Sequence, residues 1–184
     1  MDLRFLICDL GLPMVSGKTH TFATPIVNPI RKSQIANPMS STLLEFFERD
    51  LLKLREEIGL YAEESAIWEV RGSIANSAGA LCLHLTGNLR HFIGAVLGNT
   101  GYIRQRDLEF SLRNVPRVEL LAGIDEARTD IKNVLQHFSE ADFDKTYPLE
   151  KHGQVVSNRY MLLHLLTHLN YHLGQVNYHR RLVS

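Results

Sequence analysis

The stretch LLHLLTHLNYHLGQVNYHRR, residues 162–181, is the part of the sequence that decides the fold. Its leucines recur three and four residues apart, the spacing that places side chains on one face of an α-helix. His164, His168 and His172 follow one another at intervals of four, and His179 comes seven residues later. On a helical wheel all four histidines lie along one edge of the leucine face. The stretch therefore predicts a long amphipathic helix that carries histidines beside the core.

Three earlier segments have the same helical spacing of apolar side chains: residues 40–59, 73–97 and 117–138. Thr42 and Glu45 also have the spacing of a capping box for the first of these helices. The last helix is predicted to extend from Ser157 or Asn158 to about residue 182, because either side chain is a suitable N-cap. Four long helices without convincing alternating strands predict an all-α fold, a four-helix bundle.

The N-terminal part of the chain has a different character. Residues 18–38 contain three prolines and no helical or strand period, which predicts an irregular extension. The first residues resemble a secretory signal, but Asp2 and Asp9 interrupt the apolar run, so we do not expect secretion. We expect residues 1–38 to form an extension and residues 39–184 to form one bundle domain.

Composition excludes several classes of function. The chain has 184 residues, with 20 Lys and Arg against 20 Asp and Glu, so its formal net charge is zero. Nucleic-acid binding driven by electrostatics needs a basic surplus, and we expect no nucleic-acid partner. No run approaches the roughly 18 apolar residues of a membrane-spanning helix, so we expect no membrane partner. The 2 cysteines argue against a disulfide scaffold and favour a reducing compartment, the cytoplasm.

The histidines suggest a metal site. His168 and His172 are one turn apart on one helix face, so their imidazoles can converge on one ion. His84 lies at the matching edge of the apolar face of the second helix, where it can supply a third imidazole. Three histidines leave coordination positions open, as in catalytic sites, and zinc, nickel, iron and copper all accept imidazole nitrogen. The alternative is that these histidines are hydrogen-bonded residues at the edge of the core. No glutamate follows His168, so the HExxH pattern of zinc proteases is absent.

Three stretches resemble one known family. They are HLNYHLGQ at residues 168–175, HLTGNLRHFIG at 84–94 and RQRDLEF at 104–110. They are similar to the two histidine helices and the RxRxxEF loop of the DinB-like superfamily, and the resemblance covers about residues 40–181. It implies a four-helix bundle that binds a divalent metal, nickel or zinc. The positions that match the family's ligands are His84, His168 and His172, whereas His91 and His164 do not match.

The resemblance also implies a choice of functions. Some DinB-like proteins are transferases that use the thiols bacillithiol or mycothiol, others are described as metal-dependent hydrolases, and many form dimers. We therefore expect a metal-dependent thiol transferase or hydrolase that acts on an unidentified small molecule. The resemblance implies a low-molecular-weight thiol as its second cofactor and a homodimer as its assembly. The alternative is a non-catalytic metal-binding module for stress response or interaction. A helical bundle whose histidines bind nothing also remains open.

Two further patterns carry narrower expectations. Arg104, Arg106 and Glu109 lie in a charged connection, and we expect them to form ion pairs at the end of the bundle rather than to bind substrate. An anion contact from Arg104 or Arg106 to a thiol cofactor is the alternative. Gly174 is expected to allow a close approach between helices, and Gln175 is expected to hydrogen-bond a ligand histidine.

Overall fold

The structure, a computed structural model, describes residues 38–183. The predicted N-terminal extension therefore lies outside the described residues, except for Pro38. A 3₁₀-helix, Glu64–Trp68, follows the first α-helix, which ends at Gly59. The α-helices are α1 (Met39–Gly59), α2 (Ala78–Leu89, continued by a π-helical segment Arg90–Ala95 and a last turn Val96–Gly98), α3 (Arg106–Ser111), α4 (Arg117–Leu135), α5 (Glu140–Asp144) and α6 (Asn158–Val183).

The four long helices form the predicted bundle, in which α1 and α2 each pack against both α4 and α6. Side-chain pairs give the directions of the helices. Asp50 accepts a hydrogen bond from Asn170, and Glu57 accepts one from Asn177 seven residues further along both helices. Residue numbers therefore rise together on α1 and α6, and these two helices are parallel.

The other pairs complete the topology. Arg55 bonds Asp125 and Arg128 bonds Glu48, so α4 is antiparallel to α1. On α2, Gly94 faces Asp130 and Gly98 faces Val134, so α2 and α4 are parallel. The bundle is thus up–down–down–up. Because α2 and α4 are parallel, the connection between them must return along the whole bundle, and this crossover contains α3.

Apolar faces of the four long helices form one core. Phe47, Leu54, Leu85, Ile124 and Leu169 are each fully buried. Burial of this kind stabilises a bundle by about 25 cal/mol for each Å² of apolar surface removed from water. None of the helices in residues 38–183 combines the length and the apolar character that crossing a membrane requires.

Two of the predicted helix starts match the structure, the first differs by one residue, and the second differs by five. Arg117 begins α4 and Asn158 begins α6, as expected. The capping box at Thr42 is wrong, because α1 already begins at Met39 and the Thr42 amide donates to the carbonyl of Pro38. The second helix was predicted from residue 73 but begins at Ala78, where Ser77 is the N-cap and its hydroxyl accepts from the amide of Ala80.

The connections contain more structure than their sequences predict. The crossover carries α3, and the region 139–156 carries α5, whose N-cap Ser139 forms a capping box with Asp142. Two isolated antiparallel bridges follow, Thr146 with Ser157 and Lys151 with Gln154. Short helices and single bridges span too few residues to show a hydrophobic period.

Candidate metal centre

Helices α2 and α6 bring the three predicted ligand histidines together. The Nε2 atom of His168 lies 3.2 Å from Nε2 of His84 and 3.1 Å from Nε2 of His172. One nitrogen from each ring lies within 4.8 Å of the other two, close enough for all three to bind one ion. Among residues 38–183, this is the group of His, Cys, Asp or Glu side chains with that spacing. The antiparallel packing of α2 on α6 thus brings together two histidines, His84 and His168, that are 84 positions apart in the chain.

Two hydrogen bonds indicate which nitrogen carries the proton in two of the three rings, those of His84 and His172. His84 Nδ1 lies 2.9 Å from Glu109 Oε2, and an ionised carboxylate can only accept, so Nδ1 is the donor. His172 Nδ1 lies 2.6 Å from Gln175 Oε1, and the amide oxygen likewise accepts. In a neutral imidazole the other nitrogen, Nε2, then carries a lone pair. The Nε2 lone pairs of His84 and His172 both face His168.

This arrangement leaves the cluster short of protons. His168 Nε2 can hold at most one proton, yet it lies within hydrogen-bond distance of two lone pairs. A buried polar contact without a proton is costly, whereas a cation between the rings would satisfy all three lone pairs. The donor set therefore fits a metal ion.

The spacing of the nitrogens also fits. In a tetrahedral zinc site with Zn–N bonds of about 2.0–2.1 Å, neighbouring ligand nitrogens are about 3.3 Å apart. The two Nε2 separations from His168, 3.2 and 3.1 Å, are close to this edge length. Three histidines occupy three corners of such a site and leave the fourth for water or a small molecule.

Burial favours the neutral form of the two ligand candidates on α6, His168 and His172. Burial, the larger cause, and the neighbouring His172 and His84 rings together lower the pKa of His168 to about 4. Burial also lowers the pKa of His172, although the hydrogen bond to Gln175 acts in the opposite direction. Metal binding requires the neutral ring, so neither histidine needs to release a proton at neutral pH before binding an ion.

Glu109 orients His84 and is itself held by Arg104. Arg104 donates from Nε to Oε1 at 2.6 Å and from Nη2 to Oε2 at 2.7 Å, a two-point contact that fixes the carboxylate plane. Burial raises the pKa of Glu109, but the hydrogen bonds from Arg104 and His84 outweigh it, so this pKa lies below its ordinary value. The carboxylate is therefore ionised and ready to accept from His84.

The ion pair differs in one respect from its expected role. Arg104 and Glu109 do form an ion pair, as expected, but Glu109 also contacts His84, a ligand candidate. Arg106 is exposed and takes no part in that pair. The sequence analysis did not predict the contact between Glu109 and His84. The RQRDLEF motif, which contains Glu109, was the feature of the sequence that could have indicated it. Carboxylate–histidine pairs of this kind set the orientation and basicity of metal ligands.

Glycine at position 87 makes room for this carboxylate. Gly87 follows His84 by three residues, about one turn of α2. A Cβ atom at position 87 would overlap Glu109 Oε1. The side chain of Glu109 is 6% exposed, so it occupies the space that a larger residue at position 87 would need. The packing of α3 against α2 thus depends on the absence of a side chain at Gly87.

The remaining histidines near the site have other partners. His164 is half-buried, and its ring stacks beside that of His168 with centroids 6.2 Å apart. His91 packs against Phe92. His179 is buried, donates from Nε2 to the carbonyl of Glu69 and accepts from the hydroxyl of Tyr61. None of these belongs to the three-histidine group found among the described residues.

The two expectations for Gly174 and Gln175 have opposite outcomes. The hydrogen bond from His172 to Gln175 is confirmed. The expected close helix approach at Gly174 is wrong, because Gly174 is exposed and a Cβ atom added there meets nothing within 4 Å.

Comparison with known proteins gives a family but no activity. A family model described as "Protein of unknown function (DUF1572)" matches residues 49–184. The chain belongs to this family. The match includes α2, the crossover and α6, and so covers every residue of the histidine cluster and its hydrogen-bond partners. A search among curated proteins finds no match. Only the site itself therefore points to a chemistry.

Proposed function

We propose that this protein is a member of the DinB-like superfamily that holds a divalent metal, zinc or nickel, on His84, His168 and His172. The proposal is supported by the position of the three motifs. The two histidine motifs supply the converging rings, and the RQRDLEF motif supplies the carboxylate that contacts His84. Segments that are distant in sequence thus contribute to one cluster.

The observation that carries the proposal is the count of protons at the cluster. Three Nε2 atoms meet, while Glu109 and Gln175 hold the Nδ1 protons of two rings on the far side. A set of histidines serving only as hydrogen-bonded core residues would have a donor for each acceptor. A cation is the simplest group that completes this cluster.

The chemistry that we propose is group transfer to a low-molecular-weight thiol, with hydrolysis as the other reaction of this site. A bound divalent ion would supply Lewis acidity that lowers the pKa of a thiol or of water. Glu109 already accepts from Arg104 and His84, so it is poorly placed to take a proton from water as a general base. A thiol needs less help than water because its ordinary pKa is lower. Glu109 and Gln175 would orient the ligand rings.

Elemental analysis tests the metal. The full chain, purified without a polyhistidine tag, should contain about one zinc or nickel ion, and the His168→Ala/His172→Ala variant should contain none. Absence of metal from wild-type protein, even after incubation with zinc and nickel salts, would contradict the proposal.

A conjugation assay tests the reaction. Bacillithiol, mycothiol or another small thiol is mixed with 1-chloro-2,4-dinitrobenzene; the sulfur–carbon bond forms, chloride leaves and the thiol proton passes to buffer. The metal-loaded protein should accelerate this step, and removal of the metal should abolish the acceleration. Stoichiometric metal without conjugation or hydrolysis of test substrates would favour a non-catalytic metal-binding module instead.

A further inference from the structure

A cavity of about 380 Å³ adjoins the histidine cluster. It lies between the segment that precedes α2, the first turns of α2 and the last turns of α6. Its volume lies within the usual range for small-molecule sites, about 300–1,000 Å³. Gln175 connects the two features: it lines the cavity, and its Oε1 atom accepts a hydrogen bond from His172.

The cavity begins about one helical turn from the ligand candidates on both helices. Leu81, which lines it, precedes His84 by three residues, and Gln175 follows His172 by three residues. One turn of α-helix corresponds to about 5.4 Å. A molecule seated in the cavity with one end at Gln175 would therefore place that end beside His172, to which Gln175 is hydrogen-bonded.

The walls of the cavity are apolar or neutral. Ile74, Leu81 and Leu182 supply aliphatic surface and Tyr178 supplies an aromatic ring, whereas no Asp, Glu, Lys or Arg side chain lines it. His179 also lines the cavity, but both of its ring nitrogens are bonded to protein groups. Such walls favour an uncharged molecule with an apolar body, because a charged group would lose its hydration without gaining a partner.

The end of the cavity next to the cluster has hydrogen-bond donors. Gln175 uses Oε1 for His172, and no hydrogen bond from its Nε2 group to another described residue is present. The two N–H groups of that amide can donate to an acceptor such as a carbonyl oxygen. The cavity thus combines apolar walls with a donor at the end that faces the histidines.

We propose that this cavity is the substrate pocket and that it binds the alkyl or aromatic body of a neutral carbonyl compound, with the carbonyl end directed to Gln175 and the histidine cluster. The inference rests on the proposed function, because the metal centre gives the pocket its role. Occupancy of the cavity and metal content are nevertheless separate measurements.

The probe for this test is 6-propionyl-2-(dimethylamino)naphthalene, a neutral aromatic ketone whose fluorescence shifts to the blue in apolar surroundings. The full chain is titrated with it, both zinc-loaded and treated with EDTA. Saturable binding with a blue shift is expected in both forms. Zinc content is measured on the same samples, so a failure of metal binding is seen independently of a failure of the pocket.

Two matched tryptophan variants locate the binding site. Ala75 is exposed and lines the cavity, so Ala75→Trp should fill it and weaken probe binding at least about tenfold, equivalent to about 1.4 kcal/mol. Val155 is 70% exposed and does not line the cavity, so Val155→Trp should bind the probe like wild type. Equal binding by Ala75→Trp and wild type, or no saturable binding by wild type, would overturn the proposal.

The Gln175→Glu variant tests the polar end of the pocket. Its carboxylate can still accept from His172, but it has no N–H group to donate to the ketone. Probe binding should weaken several-fold, as expected for loss of one hydrogen bond. Unchanged probe binding by Gln175→Glu would overturn the proposed direction of the carbonyl group.

Discussion

Glu109 Oε2 lies 2.9 Å from His84 Nδ1, although the two residues belong to different helices and are 25 positions apart in the chain. The carboxylate that accepts from His84 is the same one that Arg104 holds at two points. A change at Glu109 should therefore alter the orientation of a ligand candidate without removing any ligand.

We predict that Glu109→Gln weakens zinc binding. The amide loses the charge that stabilises the His84 Nδ1–H donor and leaves Arg104 without its partner. Loss of a carboxylate partner of this kind costs about 10–100-fold in metal affinity. Competition with a zinc chelator measures the change, with Glu119→Gln, at an exposed position of α4, as the control. Equal affinities of Glu109→Gln and Glu119→Gln would show that the contact has no bearing on the metal.

The ligand set itself is tested by single substitutions. His168→Ala and His172→Ala should each remove a zinc ligand and lower the metal content of the purified protein. His164→Ala should retain the metal, because the His164 ring only stacks beside His168. Elemental analysis of the three variants decides the matter, and loss of metal from His164→Ala alone would require a different ligand set.

Position 87 offers a test that leaves every polar residue in place. Gly87→Ala should push Glu109 away from His84, because the new methyl group would overlap Oε1. We expect weaker zinc binding, comparable to that of Glu109→Gln. The control is Gly123→Ala, where the nearest atom would lie 3.8 Å from the new carbon, an ordinary contact. Zinc binding by Gly87→Ala at the wild-type level would contradict the packing described for α3.

A second glycine should respond in the opposite way. Gly174 is exposed within α6, and a methyl group added there meets no other atom within 4 Å. Gly174→Ala should therefore stabilise the protein by up to about 1 kcal/mol, because alanine loses less backbone entropy in a helix. Urea denaturation should show a higher midpoint with an unchanged slope. A lower midpoint would indicate a close contact at this position that the structure does not contain.

The stability of the metal-free protein should depend on pH through His168. Its pKa is about 4 in the folded chain, against about 6.5 for an unperturbed histidine. Between these values the unfolded chain binds more protons at this residue, so its contribution favours folding above pH 6.5 and is lost as pH falls towards 4. Urea denaturation of EDTA-treated protein across this range should show a flatter profile for His168→Gln. Identical profiles would mean that His168 does not resist protonation.

The sequence predicted the long helices because each carries an apolar face through several turns. Arg117 and Asn158 begin their helices as expected, since Pro116 and Ser157 precede strongly periodic segments. The start of α2 was placed five residues early, because a hydrophobic period alone does not mark the N-cap that Ser77 supplies. The π-helical segment Arg90–Ala95 was also missed, because a helical wheel assumes a constant rotation for each residue.

The candidate site was predictable only in part. The spacing of His168 and His172 is local, and one turn of helix brings them together whatever the rest of the chain does. The approach of His84 depended on pairing two helices correctly, for which the family resemblance gave the answer. The contact from Glu109 depends on the path of the crossover, and no period in the sequence records that path. The domain boundary at residue 38, the homodimer and the cytoplasmic location stay predictions.

The crossover between α2 and α4 has a consequence for protein engineering. A designed bundle of alternating up and down helices joins its neighbours by short turns, and such a scaffold can carry two helices with the histidines of α2 and α6. It would lack the returning segment on which Arg104 and Glu109 lie. A grafted site would thus reproduce the three rings but leave His84 free to rotate. Transplanting this centre would require the crossover as a third part, together with the glycine that lets it settle against α2.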